Sequence, residues 1–209
     1  MTDLAHMLGP LNTVLFTLGN DQVSVAELLG FGTGAACVWL TVAARVSNFP
    51  VGIANSAFFL VLFLSARLYA DSGLQVVYIV LGFTGWWQWR HGGAGRGRLD
   101  VSRSGWRWLA GCAAFVIAGT WGLTLLLGWA RDIAPFWDAL TTALSLAAQF
   151  LLNAKRIENW AFWIIADVIY VPLYVVKRLD LTALVYVLFL ALCFAGAVSW
   201  RRALRSVAA

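Results

Sequence analysis

Seven long stretches of the chain are apolar and carry few charges, and they constrain the fold more than any other feature. They cover residues 25–45, 50–70, 73–89, 107–128, 136–154, 159–177 and 181–200. A helix that crosses a bilayer needs about 20 mostly apolar residues. A soluble domain of this size could not bury so much apolar surface, because many of its residues would face water. The sequence therefore predicts an all-α integral membrane protein with seven transmembrane helices.

The composition and the placement of charges exclude several classes of protein. Only 12% of the residues are charged, against roughly 25% in ordinary soluble domains. The net charge of +5 arises from short Arg and Lys clusters between the apolar stretches, which is typical of membrane proteins and not of nucleic-acid-binding surfaces. The three cysteines and two histidines are isolated in the sequence, so we predict no metal site, cofactor or disulfide framework.

The basic residues fall unequally on the two sides of the predicted membrane. Eleven lie on one side: Arg45, Arg90, Arg96, Arg98, Arg103, Arg107, Lys155, Arg156, Arg201, Arg202 and Arg205. Four lie on the other: Arg67, Arg131, Lys177 and Arg178. Because cytoplasmic loops carry the excess of Lys and Arg, the side with eleven is predicted to be cytoplasmic. We therefore expect a multi-pass protein of a bacterial-type inner membrane, with a cytoplasmic C-terminus.

Two segments outside the spans have their own character. Residues 4–18 are apolar but interrupted by Pro10, and we interpret them as an interfacial helix or entry segment, with an extra span as the alternative. Residues 90–107 contain GGAGRGR, which lacks the spacing of phosphate-binding loops and indicates a flexible, solvated linker. The predicted organisation is an N-terminal segment (1–24), a first three-helix bundle (25–90), a basic loop with a linker helix (91–134), and a second three-helix bundle with a basic tail (135–209).

The chain contains an internal repeat. Residues 27–49 align without gaps on residues 138–160, at a constant offset of 111 positions. An acid starts each copy, and both end alike, as RVSNF (45–49) and RIENW (156–160). Charged and amide residues that match at one offset indicate a duplication. The third apolar stretch of each copy contains a Gly-x-x-x-Trp motif. We align Gly82–Trp86 with Gly196–Trp200, and this alignment requires gaps.

A duplicated unit of three helices explains the odd number of spans. Three helices cross the membrane an odd number of times, so a second copy placed directly after the first would be inverted. The fourth stretch, 107–128, restores the direction. The predicted architecture is therefore 3+1+3, two parallel three-helix bundles joined by a linker helix. Parallel repeats of this kind occur in transporters, whose substrate sites lie between the halves near the middle of the membrane.

Polar side chains within the spans are candidates for a binding site. Asp167 is the most informative, because a carboxylate inside a span costs at least about 2.5 kcal/mol and is a functional residue by default. It shares a helical face with Asn159, Trp163 and Tyr170. The other polar residues in the spans are Asn48, Asn55, Gln75, Tyr78 and Tyr186. Hydrogen bonding between helices is the alternative role, above all for Asn48 and Asn159.

Two pairs of tryptophans are spaced to stack on a flat ring. Trp86 and Trp89 lie three positions apart, and Trp160 and Trp163 repeat this spacing in the second half. Base-like rings stack on aromatic side chains for roughly 1–3 kcal/mol each. Tryptophans at the ends of spans also anchor proteins at the membrane interface, and this interpretation suits Trp87. Together these residues suit an uncharged or cationic ring with hydroxyls, and suit a free phosphate less.

Four segments give the chain a resemblance to a known family. They are SNF with VGIAN (47–49 and 51–55), LQVVYIVLGFTGWWQW (74–89), PFWDALTTALSLAAQFLLNAKRIENWAFWIIADVI (135–169) and GAVSW (196–200). Together they resemble the PnuC family of vitamin transporters, over nearly the whole chain from about Val25. The resemblance implies a SWEET-like 3+1+3 architecture and facilitated diffusion of a dephosphorylated vitamin, nicotinamide riboside in the best-known members. Cytoplasmic phosphorylation would trap the substrate.

The resemblance and the polar residues together define the predicted site. Its substrate-binding residues are Asn55, Gln75, Tyr78, Trp86, Trp89, Asn159, Trp160, Trp163 and Asp167. In this interpretation Trp86, Trp163 and Tyr78 contact the ring, Asp167 offsets a positive charge, and the amides bind hydroxyls and a carboxamide. Riboflavin and thiamine are the alternative substrates, since their carriers share the fold.

Other classes of function have less support from the sequence. The common motifs of metalloproteases and serine hydrolases are missing, so an embedded enzyme is not favoured and no catalytic residue is predicted. A membrane scaffold would have little use for Asp167 inside a span. The expected partners are a small-molecule vitamin, the lipid bilayer and further copies of the chain, since the resemblance implies a homo-oligomer such as a trimer.

Overall fold

The computed structural model describes residues 13–18, 21–65, 69–129 and 134–208 and is largely helical. The described residues form seven long helices: α1 (Val25–Val42), α2 (Asn48–Ser65), α3 (Tyr69–His91), α4 (Trp106–Trp129), α5 (Pro135–Asn153), α6 (Asn159–Val176) and α7 (Asp180–Ala208). They coincide with the seven predicted stretches, which confirms the fold class. Five of them, α1, α2, α4, α6 and α7, are long and apolar enough to cross a membrane. Polar residues such as Gln75 and Gln149 make α3 and α5 less apolar.

The segment before α1 contains strands. Strand β1 (Val14–Leu18) pairs antiparallel with β2 (Asp21–Ser24). The prediction of an interfacial helix is therefore wrong for residues 14–18, whose sequence VLFTL is rich in the β-branched and aromatic residues that favour strands. The rest of that predicted segment, 4–12, lies outside the described residues. Ser24 then starts α1 in a capping box with Glu27.

Contacts between helices divide six of the seven into two groups of three. In the first group α2 packs on both α1 and α3, and in the second group α6 packs on both α5 and α7. The groups meet where α1 packs on α7 and where α3 packs on α5, while α4 packs on α5. This pattern is the same when the two groups are exchanged, as a 3+1+3 duplication requires. Their parallel arrangement about an axis along the membrane normal stays a prediction.

The duplication extends over all three helices of each group without gaps. The starts of α2 and α6, and those of α3 and α7, lie at the same offset of 111 positions that the sequence shows. The turns match in backbone conformation, since Ala44 and Lys155 both have positive φ, at 50° and 52°. The alignment of Gly82–Trp86 with Gly196–Trp200 is therefore wrong. The counterpart of Trp200 is Trp89, because segments 66–68 and 177–179 have equal length.

The basic loop after α3 is bound to the second group of helices. Ser102 forms a parallel β-bridge with Arg156, and the Lys155 ammonium donates a hydrogen bond to the Leu99 carbonyl at 2.7 Å. Leu99 and Val101 also pack against the apolar core. The prediction of a flexible, solvated linker is therefore wrong for the second half of this loop, because its backbone pairs with the turn between α5 and α6.

Candidate functional site

A layer of aromatic side chains joins the two groups of helices at the end of the bundle that carries the basic loop. We call it the aromatic layer, and its rings are Phe49, Trp89, Trp160 and Trp200. The Trp89 indole donates a hydrogen bond to the Leu152 carbonyl at 2.9 Å. The Trp200 indole donates one to the Thr41 carbonyl at 3.1 Å. Thr41 and Leu152 are themselves 111 positions apart, so each group inserts one tryptophan into the other in the same way.

Glycines make room for the rings of the aromatic layer. Trp160 lies edge-on to Trp200, with ring centroids 5.5 Å apart. A Cβ atom on Gly196 would collide with the Trp160 ring, so only glycine allows this close approach. Gly85 is the counterpart in the first group, where a Cβ atom would collide with Phe49. The Gly-x-x-x-Trp motif of the sequence therefore serves packing between helices.

Four of the predicted site residues lie in or beside the aromatic layer. Trp89 and Trp160 are almost fully buried, and other rings and helices cover them. Trp86 and Trp163 pack against the layer and are half-buried. The Arg90 guanidinium lies 5.5 Å from the Trp86 ring centroid. Trp86 and Trp163 therefore retain surface that a ligand ring can contact, whereas Trp89 and Trp160 serve mainly to join helices.

A second group of side chains, the polar cluster, lies where α3, α5, α6 and α7 face one another. Its members are Tyr78, Thr141, Ser145, Asp167, Tyr170, Tyr174 and Tyr186. The Tyr170 and Tyr186 ring centroids are 4.5 Å apart. The Tyr170 hydroxyl lies beside Thr141 and Ser145, and Tyr78 approaches Ser145 from α3. The cluster therefore presents several hydroxyl groups and ring faces in one region of the interior.

Asp167 lies at one side of the polar cluster and is 3% exposed. It accepts a hydrogen bond from the Cys193 thiol at 3.4 Å and is close enough to Tyr170 and Tyr186 to interact with both electrostatically. Among the described residues the structure records no cationic partner for it. A buried carboxylate without a counter-charge is unfavourable, so this position is suited to a ligand that brings a positive charge.

The two groups of helices differ most where the polar cluster lies. Tyr170 and Tyr174 stack at 5.6 Å, and their repeat counterparts Phe59 and Phe63 stack in the same way at 5.5 Å. Three more positions differ in the same direction: Thr141, Ser145 and Asp167 correspond to Gly30, Gly34 and Ser56. At these positions the second group is the more polar one, whereas at Asn55 and Tyr78 the first group is, since their counterparts are Ala166 and Phe189. The polar cluster therefore takes most of its side chains from the second group, and Tyr78 from the first.

Two predicted amide residues, Asn55 and Gln75, lie on different helices, α2 and α3. Asn55 donates hydrogen bonds to the Gly30 carbonyl at 2.9 Å and to the Thr33 hydroxyl at 2.7 Å, so it joins α2 to α1. Gln75 is half-buried on α3, one turn before Tyr78. The structure therefore brings Tyr78 and Asp167 into one cluster and places Asn55 in the first group of helices, where its donors are already used.

Asn159 and Trp160 have unused hydrogen-bonding atoms. The Asn159 amide donates to the Arg156 carbonyl at 2.6 Å, while its Oδ1 is buried without a partner. The neighbouring Trp160 Nε1 is also buried without a partner. A buried polar group left unpaired costs about 1–3 kcal/mol. Both residues are covered by neighbouring side chains, so these two atoms lie behind the surface that a ligand can reach.

The sequence interpretation missed part of the polar cluster. Thr141, Ser145 and Tyr174 were not predicted as site residues, and Tyr170 and Tyr186 were noted only as polar residues within spans. A signal for them exists on α5. Asp138, Thr141 and Ser145 follow a spacing of three and four, which places them on one helical face. A polar stripe along a transmembrane helix marks the face that is turned away from lipid.

Comparison with known proteins identifies the family. The model of the family described as "Nicotinamide mononucleotide transporter" matches residues 24–202, which include α1 to α6 and most of α7. The chain belongs to this family of membrane transporters. The resemblance to the PnuC family is thereby confirmed.

Relatives of this transporter family with assigned functions cover most of the chain. The nicotinamide riboside transporter PnuC of Escherichia coli K12 is 26% identical in an alignment of 208 positions that covers 87% of each chain. The riboflavin/roseoflavin transporter RibM of Streptomyces davaonensis is also 26% identical, over 91% of each chain. The crystal structure of a vitamin B3 transporter PnuC has the same fold, with a TM-score of 0.67 and 22% identity, over 87% of this chain and 82% of that one.

Proposed function

We propose that this PnuC-family transporter carries nicotinamide riboside across a bacterial inner membrane by facilitated diffusion. The observation that carries the proposal is Asp167, a buried carboxylate without a cationic partner among the described residues, beside the rings of the polar cluster. Nicotinamide riboside has a positively charged pyridinium ring, so it supplies both the missing charge and a flat aromatic face. The assigned function of the Escherichia coli relative supports the same substrate.

The proposed roles follow from the atoms that each residue leaves available. Trp86 and Trp163 contact the ring, because both are half-buried and keep exposed ring surface. A cation over an aromatic face gains about 0.5–2 kcal/mol, which adds to the attraction by Asp167. Asn159 Oδ1 and Trp160 Nε1 have no protein partner among the described residues, but both residues are almost fully buried, so we assign them no contact with the ligand.

The absence of basic side chains from the polar cluster gives a physical reason for trapping. The seven members of the cluster include one carboxylate and no Lys or Arg. A phosphate group on the substrate would be repelled by Asp167, because like charges repel strongly in a medium of low dielectric constant. Phosphorylation of the riboside in the cytoplasm would therefore produce a molecule that this site does not return.

Riboflavin is the second candidate, because the RibM relative has the same 26% identity to this chain as the PnuC relative of Escherichia coli. Riboflavin has a larger, uncharged ring system and does not require a carboxylate. The dependence of binding on Asp167 therefore separates a cationic substrate, nicotinamide riboside or thiamine, from riboflavin.

Calorimetry on the purified protein tests the proposal directly. Nicotinamide riboside is titrated first, with thiamine, riboflavin and nicotinamide mononucleotide as comparators. We expect binding of the riboside that depends on Asp167, and no Asp167-dependent binding of the mononucleotide. Binding of thiamine or riboflavin in place of the riboside would keep the transporter and reject the substrate.

Uptake into proteoliposomes tests the mechanism. Facilitated diffusion predicts that the riboside reaches equal concentrations inside and outside, with no response to an imposed ion gradient. Vesicles that enclose a riboside kinase and ATP should accumulate label beyond this level. Concentrative uptake without the kinase would contradict facilitated diffusion.

A homo-oligomer is part of the same proposal, and a trimer should give a detergent-corrected mass of three chains in light scattering.

A further inference from the structure

A cavity separate from the polar cluster opens at the end of the bundle that carries the basic loop. Its volume is about 450 Å³, and its lining residues are Arg103, Arg201, Leu204 and Arg205. This volume lies within the ~300–1,000 Å³ typical of small-ligand pockets. Three arginines among four lining residues make the cavity suitable for an anion. We call it the arginine cavity.

Two separately anchored elements bring the three arginines together. Arg201 and Arg205 lie four positions apart on α7 and therefore share a face. Arg103 belongs to the basic loop, and its carbonyl accepts a hydrogen bond from the Arg156 guanidinium at 2.7 Å. The β-bridge of Ser102 holds the same part of the loop on the turn between α5 and α6. The loop therefore places Arg103 opposite α7 by backbone contacts that do not depend on its own side chain.

The charges in the arginine cavity are not neutralised by the described residues. The structure records no ion pair for Arg103, Arg201 or Arg205 among them. Glu158, an acid that contacts this part of the loop, accepts a hydrogen bond from the Ser104 amide at 2.9 Å. Beside Arg103, the Ser104 hydroxyl and Arg156 Nε are buried without partners. Three like charges at one cavity repel one another, and a bound anion removes that repulsion.

We propose that the arginine cavity binds the phosphate group of an anionic ligand. Arginine forms paired, charge-assisted hydrogen bonds to phosphate oxygens, which are shorter and stronger than neutral ones. Two sources of this chemistry meet the face that is predicted to be cytoplasmic. One is the headgroup of an anionic lipid, which binds in basic pockets at the cytoplasmic ends of transmembrane helices. The other is a soluble phosphorylated product of the transported vitamin, and this source rests on the proposed function.

A phosphate in the arginine cavity would connect two parts of the molecule. It would bridge Arg103 on the basic loop to Arg201 and Arg205 on α7. The loop is fixed to the turn between α5 and α6, and α7 carries Tyr186 of the polar cluster and Trp200 of the aromatic layer. A bound phosphate would therefore connect α7 to the turn between α5 and α6, the helix that carries Asp167.

The test uses the full-length protein and a double substitution, Arg201→Gln with Arg205→Gln. The matched control is Arg98→Gln with Arg202→Gln, because both residues are exposed, belong to the same loop and helix, and are not among the residues that line the cavity. Native mass spectrometry measures retained phosphatidylglycerol. Calorimetry measures binding of inorganic phosphate and of nicotinamide mononucleotide. Size-exclusion profiles and melting temperatures show that each variant is folded.

We expect wild type and control to bind the phosphate ligand equally, and the cavity variant to bind it at least about tenfold more weakly, since two charge-assisted contacts are lost. Loss of phosphatidylglycerol alone identifies the lipid as the source, and loss of mononucleotide or inorganic phosphate identifies a soluble ligand. Equal binding by cavity variant and control, or no binding of the three probes by wild type, would overturn the proposal. Binding of nicotinamide riboside in the same samples reports on the proposed function separately and should not change.

Discussion

Individual side chains in the second group of helices carry the chemistry that the proposed substrate requires. Tyr170 and Tyr174 add hydroxyls to a stacked pair of rings that exists as two phenylalanines in the first group. Asp167 adds a carboxylate where the first group has Ser56. Because α2 and α6 begin 111 positions apart and share one register, the same positions accommodate both sets of side chains. Their free-energy cost within a bilayer is offset by contacts with one another, as between Cys193 and Asp167, and by a polar or charged ligand.

Replacing Asp167 by Asn tests this at a single residue. The variant keeps the size of the side chain but loses the charge, so riboside binding should weaken about 10- to 100-fold, as expected for a hydrogen-bonded charge worth about 1.5–3 kcal/mol. Calorimetry and vesicle uptake measure the effect. Riboflavin binding, if present, should change little. Asp100→Asn is the control, because it makes the same change from Asp to Asn at an exposed position of the basic loop. Unchanged uptake by a well-expressed Asp167→Asn protein would remove this residue from the site.

At the scale of helices and turns, the two groups hold each other through matched contacts. Trp89 on α3 and Trp200 on α7 each donate a hydrogen bond to the carbonyl near the end of α5 or α1. The turns that follow α1 and α5 both contain a residue with positive φ that is not glycine. Only the second turn is covered by the basic loop, where burial lowers the pKa of the Lys155 ammonium.

Substitution of either buried tryptophan by Phe should destabilise the protein to a similar extent. Each change keeps a ring but removes the indole N–H, while the Leu152 and Thr41 carbonyls keep their backbone donors from Lys155 and Ala44. The loss of one such hydrogen bond costs about 0.5–1.5 kcal/mol. Thermal unfolding in detergent measures Trp89→Phe and Trp200→Phe. Trp87→Phe is the control, because Trp87 is 68% exposed. A large effect at one position with none at the other would show that the two contacts are not equivalent.

A glycine should change the stability of the protein in opposite directions in the turn after α1 and in the turn after α5. Ala44→Gly relieves the strain of a left-handed residue, about 1–2 kcal/mol, against about 0.4–1 kcal/mol of added freedom in the unfolded chain, so it should stabilise slightly. Lys155→Gly should destabilise, because Lys155 also donates to the Leu99 carbonyl and lies 4.4 Å from the Trp89 ring centroid. Melting temperatures of the two variants decide this, and a gain in both would mean that the Lys155 contacts contribute nothing.

For the whole molecule, the distribution of charge predicts orientation. One end of the bundle holds most of the basic residues. It is formed by the basic loop, the turns after α1 and α5, and the end of α7. Cytoplasmic loops carry the excess of basic residues. That end should therefore face the cytoplasm, where the arginine cavity meets anionic lipid and phosphorylated metabolites.

Cysteine labelling tests the orientation. Asp100→Cys in the basic loop and Arg178→Cys between α6 and α7 are both exposed positions at opposite ends of the molecule. Each is introduced into a protein whose own cysteines, Cys37, Cys112 and Cys193, are replaced by Ala. In intact cells a membrane-impermeant maleimide should label Arg178→Cys and leave Asp100→Cys unmodified until the cells are opened. The reverse pattern would place the basic end outside.

The sequence by itself determined the helices and the duplication. Apolar length and turn composition are local properties, so the stretches 25–45 and 159–177 were recognisable without any knowledge of their neighbours. The constant offset between residues 27–49 and 138–160 likewise needs only comparison of the chain with itself. The family resemblance rests on the same kind of information, since its motifs are continuous segments.

Tertiary structure alone decided which side chains meet. Helical spacing places Trp86 and Trp89 three positions apart, but only the packing of α3 on α5 shows that Trp89 is buried against the second group and Trp86 is not. Tyr78 and Ser145 lie on different helices and form part of one cluster because those helices face each other. Hydrogen bonds and ring contacts across a membrane protein depend on how helices pack, and the periodicity of one helix does not specify its neighbour.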